Sequence, residues 1–276
     1  MPPTRGGNLT QDLWGGTYVE PAYWEAAAQA LLALADLRPG MRVLDVGSAG
    51  GGTLFPTLDR IGADGHNVGI EVEEDWVEWL QKEIAKRGVR NAENHLMNGH
   101  SMRFTGASFD AVIVGLVGLD EDYDFEAGAA IDGARLLREV FCVVKSGECT
   151  YHSNWLWQDD NEWMGELVRR HLPGCTKRGY FPATEAGYVD LLEGVGFEDV
   201  RVARFDGRYT FADPAEWMAC VGYMWEEELA RVRADDAARA AFERDAFDLL
   251  DRHRGDDGRI AYTRSVALVA ARKPVG

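Results

Sequence analysis

The sequence predicts an α/β fold in which a mostly parallel sheet carries helices on both faces. Two observations point there. Apolar runs of strand length alternate with amphipathic helical stretches along most of the chain. The first of those runs opens "VLDVGSAGGG" (Val43–Gly52), so a hydrophobic strand passes straight into a turn that is nearly all glycine and alanine. Glycine in a strand-to-helix turn lets the backbone approach another group closely, at an entropic cost.

Each element follows from local pattern. Pro21–Leu37 reads as a helix with proline in its first turn, ended by "RPG". Strands are expected at Val43–Val46, Asn67–Val72, Glu93–Met97 and Asp110–Gly115. Between the first two, "TLFPTLDRIGADG" is a short helix with Pro56 in its first turn. Between the second and third, "EEDWVEWLQKEIAKRG" is an amphipathic helix closed by Gly88. Asp132–Val144 is a further helix, and "KSGE" leads from it into a strand at Cys149–Asn154. A helix at Thr184–Val195 leads through "GF" to a strand at Glu198–Phe205. The last strand, Ser265–Arg272, follows a long helical region, Pro214–His253, and is expected to run antiparallel. Two stretches exceed ordinary connections, Trp155–Pro182 and Phe211–Gly258. Both are rich in aromatic residues and read as lids or binding surfaces.

Composition narrows the function. The 276 residues are 46% hydrophobic, enough for one large core. With 29 Lys+Arg against 46 Asp+Glu, the formal charge of −17 argues against nucleic acid and anionic membranes as partners. No apolar run is long enough to span a bilayer, and the start lacks the apolar stretch of a signal peptide, so a cytoplasmic location is expected. Four scattered cysteines form no CxxC pair and read as free thiols.

In an open parallel sheet, ligands sit at the carboxyl ends of the strands, so the glycine turn is the natural cradle. A nicotinamide fingerprint would need GxGxxG, but the series here is Gly47, Ala49, Gly52. A P-loop would need GKS or GKT, and neither occurs. "VLDVGSAGG" instead resembles the first motif of class I S-adenosylmethionine-dependent methyltransferases, D/E-x-G-x-G-x-G, matched by Asp45, Gly47 and Gly51 with alanine in the middle. Further matches follow in order. Glu71 ends the second strand in "VGIEV", where that family keeps an acid for the ribose hydroxyls. "NGHSMRF" and "SFDAVIVG", "RLLREVFCVVKSGE", "YVDLLEGVGFEDVRV" and the terminal "VALVAARKP" resemble later family segments. The lead-in "YVEPAYWEAAAQALLALADLRPGMRVLDVG" is similar to that of the ubiquinone/menaquinone-biosynthesis type acting on small molecules.

The resemblance implies one Rossmann-like domain over residues 1–276, with a seven-stranded sheet ordered 3-2-1-4-5-7-6 and strand 7 antiparallel. An N-terminal cap at 1–37 and lid insertions at about 155–182 and 211–258 would complete it. It implies S-adenosyl-L-methionine as cofactor, held by Tyr18, Asp45, Gly47, Ser48, Gly51, Glu71, Val72, Gly99, His100, Ser101 and Gly115. The family often has an aspartate after the third strand to meet the adenine; here His100, Ser101 or the backbone must take that part. Tyr23, Trp155 and Tyr180 are candidate substrate contacts.

His152, in "TYHSN" near the carboxyl end of the fifth strand, is the candidate general base, since histidine titrates near neutrality. A pocket hydrogen-bond role is its alternative, because methyl transfer from a sulfonium can rest on positioning alone. Trp155, Trp157 and Trp163, three tryptophans within nine residues, read as pocket lining. "QDDN" (Gln158–Asn161) reads as a solvated helix start rather than a magnesium site, so no metal is expected. The run Asp120–Glu126 reads as a solvated loop. The expected reaction is methyl transfer to a small aromatic or heteroaromatic metabolite, indole- or phenol-like. A nicotinamide-dependent oxidoreductase and a non-catalytic S-adenosylmethionine-binding protein stay open beside it. The aromatic insertions could also serve a homodimer contact.

Overall fold

In the computed structural model, residues 13–14, 22–117, 123–124, 129–130, 132–177 and 184–276 are described. A seven-stranded sheet is built from β1 (Arg42–Val46), β2 (His66–Glu71), β3 (Ala92–Leu96), β4 (Phe109–Gly115), β5 (Val144–Gln158), β6 (Glu198–Phe211) and β7 (Ile260–Arg272). Their spatial order is 3-2-1-4-5-7-6. β1 to β5 pair in parallel, and β7 runs antiparallel to both β5 and β6. Strand order and the direction of the last strand match the expectation.

Nine α-helices are described among these residues: α1 (Ala22–Leu34), α2 (Leu54–Ile61), α3 (Glu74–Lys86), α4 (Arg135–Val143), α5 (Asp159–His171), α6 (Glu185–Val195), α7 (Pro214–Val221), α8 (Glu226–Arg233) and α9 (Asp236–Asp251). Their ends follow the expected chemistry. The Thr184 side chain accepts the Gly187 N–H at the start of α6, and Gly196 closes it in the left-handed region. Asp213 and Asp235 cap α7 and α9 in the same way. None of the described helices is long and apolar enough to cross a membrane.

Strand alternation sorts the core onto two faces. Val43, Ile113, Tyr151 and Leu268 bury against α1, α5 and the α7–α9 helices. Leu44, Val114, Val140, Leu192 and Val269 belong to a second core on the α4 and α6 side.

The far strands are longer than the sequence suggested. β5 continues through Trp155–Gln158 because that stretch pairs with Arg264–Val266 of β7, with a bulge between Trp155 and Trp157. β6 runs on to Phe211 against Ile260. The segment read as an insertion from Trp155 therefore starts as sheet and continues as α5.

Candidate active site

A cleft of about 720 Å³ lies across the carboxyl ends of the central strands, from the glycine turn after β1 to Trp155 and Arg264. Its first half is shaped by backbone. Gly47 has φ +73°, and a Cβ there would lie 2.3 Å from Val117 Cγ2. Gly51 has φ +81°, and a Cβ would meet Phe55 at 2.6 Å. Both positions thus need glycine for two reasons, left-handed backbone and space. The turn is tied to the neighbouring strand: Gly47 and Ser48 N–H donate to Ile70 O (2.9 and 3.1 Å), and Ser48 Oγ donates to Asn94 Oδ1 (2.8 Å).

Glu71, at the end of β2, lines the cleft with one carboxylate oxygen accepting Ala49 N–H (3.1 Å). The other accepts Val72 N–H (2.7 Å) and Glu73 N–H (3.2 Å). An ionised carboxyl has about four acceptor sites, so capacity remains for hydroxyl groups. Asp45 lies beneath the turn, fully buried, with the Thr53 hydroxyl 2.7 and 2.8 Å from its two oxygens. Burial pushes its pKa up to about 7; the Thr53 hydrogen bond opposes that rise and the Glu71 charge adds to it. Val72, Gly99, His100 and Gly115 complete this half. Asn98 Oδ1 accepts the His100 N–H (2.7 Å) and lies 3.1 Å from its Nδ1, which fixes the imidazole at the cleft edge.

These residues suit a nucleoside that carries an amino acid. A Cβ-free turn admits its backbone approach, an acid follows β2 for vicinal hydroxyls, and a buried carboxyl with no cation among the described residues sits beneath. Comparison with known proteins agrees. A methyltransferase-domain family model matches residues 37–173. The nocamycin O-methyltransferase of Saccharothrix syringae is 31% identical over 96% of this chain and 96% of its own length. The chain belongs to the class I S-adenosylmethionine-dependent methyltransferases. Solved structures share the fold. The YcgJ protein of Bacillus subtilis superposes with TM-score 0.58 at 16% identity, covering 91% of this chain and 99% of that one. A Haemonchus contortus phosphoethanolamine N-methyltransferase in complex with S-adenosyl-L-methionine gives 0.56 at 16%, covering 95% and 55%.

The methyltransferase cleft changes character beyond Gly115. Leu116 takes φ +54°, rare for a branched residue, and its N–H donates to Ser153 Oγ (3.0 Å) and Ser153 O (3.1 Å). This turn carries the chain off β4 beside the open end of β5. Trp24 from α1, Trp155 and Gln158 from β5, Tyr223 and Met224 after α7, and Arg264 from β7 wall the far end. The Trp24 and Trp155 rings meet edge-on at 5.6 Å. Arg264 is only 2% exposed and forms a bidentate pair with fully buried Asp160, Nε to Oδ1 at 3.0 Å and Nη2 to Oδ2 at 2.7 Å.

The structure thus gathers Gly47, Ser48, Gly51, Glu71, Val72, Gly99, His100, Gly115 and Trp155 around one cleft, with Asp45 directly below. Other expectations need correction. His152 faces the opposite side of the sheet: alternation sends it toward α6, where its ring lies 6.0 Å from Tyr188 and its Nε2 2.8 Å from Thr150 Oγ1. Burial pushes its pKa down to about 3, so it is a neutral core residue and does not line the cleft. Tyr23 sits one layer behind the wall, packed edge-on to Trp155 (5.6 Å) under the Arg264 guanidinium (3.8 Å). Ser101 is exposed and outside the cleft.

Of the three tryptophans, Trp155 alone lines the cleft; Trp157 is 45% exposed and Trp163 stacks on His253 at 4.1 Å. Asp160 is buried rather than solvated. It is the buried partner of Arg264, and no metal-binding cluster occurs among the described residues. Tyr18, Tyr180 and most of Asp120–Glu126 lie outside the described residues. Sequence reasoning missed Trp24, Gln158, Tyr223 and Arg264. Trp24 was within reach, one position from Tyr23 on the same helix, whereas the others join the site only through long-range packing.

Proposed function

We propose that this methyltransferase acts on a small aromatic or heteroaromatic metabolite, phenol- or indole-like. The observation that carries the proposal is the wall of Trp24, Trp155 and Tyr223 at the end of the cleft away from the glycine turn. Flat aromatic faces bury a planar acceptor and exclude water from the transfer. S-adenosylmethionine supplies an already activated methyl group when bound. Gly47 and Gly51 admit it, and Glu71 is positioned to accept its ribose hydroxyls. The aromatic wall then orients the acceptor, which favours transfer by positioning. Because His152 points away, no general base from β5 enters this account. The name of the Saccharothrix syringae relative favours oxygen as the acceptor atom.

The reading treats residues 1–276 as one domain, with a cap at 1–37 and covers at about 155–182 and 211–258 that supply the wall. It places the chain with the ubiquinone/menaquinone-biosynthesis type on its lead-in sequence, in the cytoplasm, without nucleic acid or membrane partners. A homodimer is compatible with its exposed aromatics. The test is mass spectrometry of a metabolite library incubated with methyl-labelled S-adenosylmethionine. Label should appear in small aromatic products. Label confined to aliphatic products would refute the aromatic assignment.

A further inference from the structure

We propose that the far end of the cleft is an acid-binding subsite, in which Arg264 and Gln158 hold a carboxylate of the acceptor. The proposal rests on the methyl-transfer reading above and names the chemistry of its acceptor. A guanidinium presents five N–H donors on a rigid planar fork. Asp160 takes one edge of that fork, through Nε and Nη2. The end-on edge, Nη1 with the second Nη2 proton, makes no hydrogen bond to any described residue, and Arg264 lines the cleft. The end-on edge matches the two oxygens of a carboxylate. Tyr23, 3.8 Å from the guanidinium, and Trp155, 4.9 Å from it, hold its plane in place.

One neighbour on β5 adds bonding capacity. Asn154 is not part of this subsite: it stands opposite Ala267 on the α6 side of β5, where its Oδ1 accepts the Trp155 N–H (2.8 Å) and its amide faces the Tyr188 hydroxyl. Gln158 stands opposite Arg264 in the β5–β7 register, 1% exposed and lining the cleft, and neither its Oε1 nor its Nε2 makes a hydrogen bond to a described residue, so the Nε2 donors are available to a ligand. Buried amides are rarely left so. The Gln158 amide N–H opposite an open guanidinium edge suits an anionic oxygen better than an amine. The Tyr23, Tyr209, Tyr262 and Cys220 side chains around Arg264 are all pushed up by burial, so none brings a second negative charge to that edge. Glu25 of α1 lines the same cleft. Asp160 already balances the Arg264 charge, so recognition depends on the open edge of the fork.

The test uses 2-naphthoate and 2-naphthamide as probes, titrated calorimetrically into the protein saturated with S-adenosylhomocysteine. The acid should bind at least about tenfold tighter than the amide, the scale of a charge-assisted bidentate contact. Arg264→Lys and Gln158→Met should bring the two within about twofold. Arg264→Lys keeps a cation for Asp160; should it fail to fold by thermal melting, Gln158→Met, which leaves the ion pair intact, carries the test. Equal binding of acid and amide, binding of neither, or an acid preference untouched by the folded variants would overturn the subsite. Failure of S-adenosylhomocysteine itself to bind would instead refute the methyl-transfer reading.

Discussion

Two carboxylates, Asp45 and Asp160, lie fully buried at opposite ends of one cleft, and the chain treats them differently. Asp160 is held by a guanidinium on two hydrogen bonds. Asp45 has a hydroxyl and, among the described residues, no cation, and burial drives its pKa to about 7. The Arg264 end, proposed above for the acceptor, is therefore electrostatically complete in the folded chain. Asp45 at the other end is left without a cation among the described residues, and a bound sulfonium amino acid can provide one. A buried charge without a partner costs stability, and an arriving cation recovers that cost as binding energy.

The largest effect that would break this comparison is on stability. Asp45 has a folded-state pKa raised above its unfolded value of 3.8. Between those values the folded state binds the extra proton, so stability falls as pH rises from about 4 to about 7 and is flat above. Integrated, the loss is roughly 4 kcal/mol at most, from about 1.4 kcal/mol per unit. Asp45→Asn should remove most of that slope, measured by urea unfolding of the ligand-free protein across that window. An unchanged slope would place the titration elsewhere. The same variant should abolish a rise in S-adenosylmethionine affinity with pH through about 7, because a bound cation favours the ionised form.

Gly47→Val comes next. It sets a side chain against Val117 in left-handed backbone, and strain of about 1–3 kcal/mol plus the clash should weaken S-adenosylhomocysteine binding by about 100-fold. Retained affinity would show that the turn does not touch the ligand. Glu71→Gln keeps volume and removes charge; it should weaken the same ligand by about 1.5–3 kcal/mol in calorimetry. A variant that melts far earlier yet binds normally would make Glu71 a brace for the turn through Ala49. Trp155→Phe is the smallest change. It avoids the large cavity cost of alanine in a residue 8% exposed. It should lower acceptor kcat/KM several-fold, read with whichever acceptor the labelled library identifies.

The two ends also differ in how far the sequence could be read. Asp45, Gly47, Gly51 and Glu71 belong to two adjacent strands and one turn, and their chemistry follows from chain order. The acceptor end depends on Arg264 meeting Asp160, 104 positions earlier, and no local pattern announces such a pair. An aspartate at a helix start is ordinary, so "QDDN" concealed it. His152 was misplaced for a related reason. β5 is buried on both faces from Thr150 to Trp155, so there is no polar alternation to show which side faces the cleft. The overlong β5 and β7 were invisible because Trp155–Gln158 becomes strand only by pairing with Arg264–Val266.

The central claim is that one cleft contains two separable sites, a backbone-built cofactor end and a side-chain-built acceptor end. Its most direct test is parallel calorimetric titration of S-adenosylhomocysteine into the native protein, Glu71→Gln and Trp155→Phe, with acceptor kinetics on the same preparations. The account predicts at least about a tenfold loss of affinity in Glu71→Gln. In Trp155→Phe it predicts affinity within about twofold of native and a clear loss of acceptor kcat/KM. Equal losses of cofactor affinity in both variants, or an acceptor kcat/KM unmoved in Trp155→Phe, would contradict it.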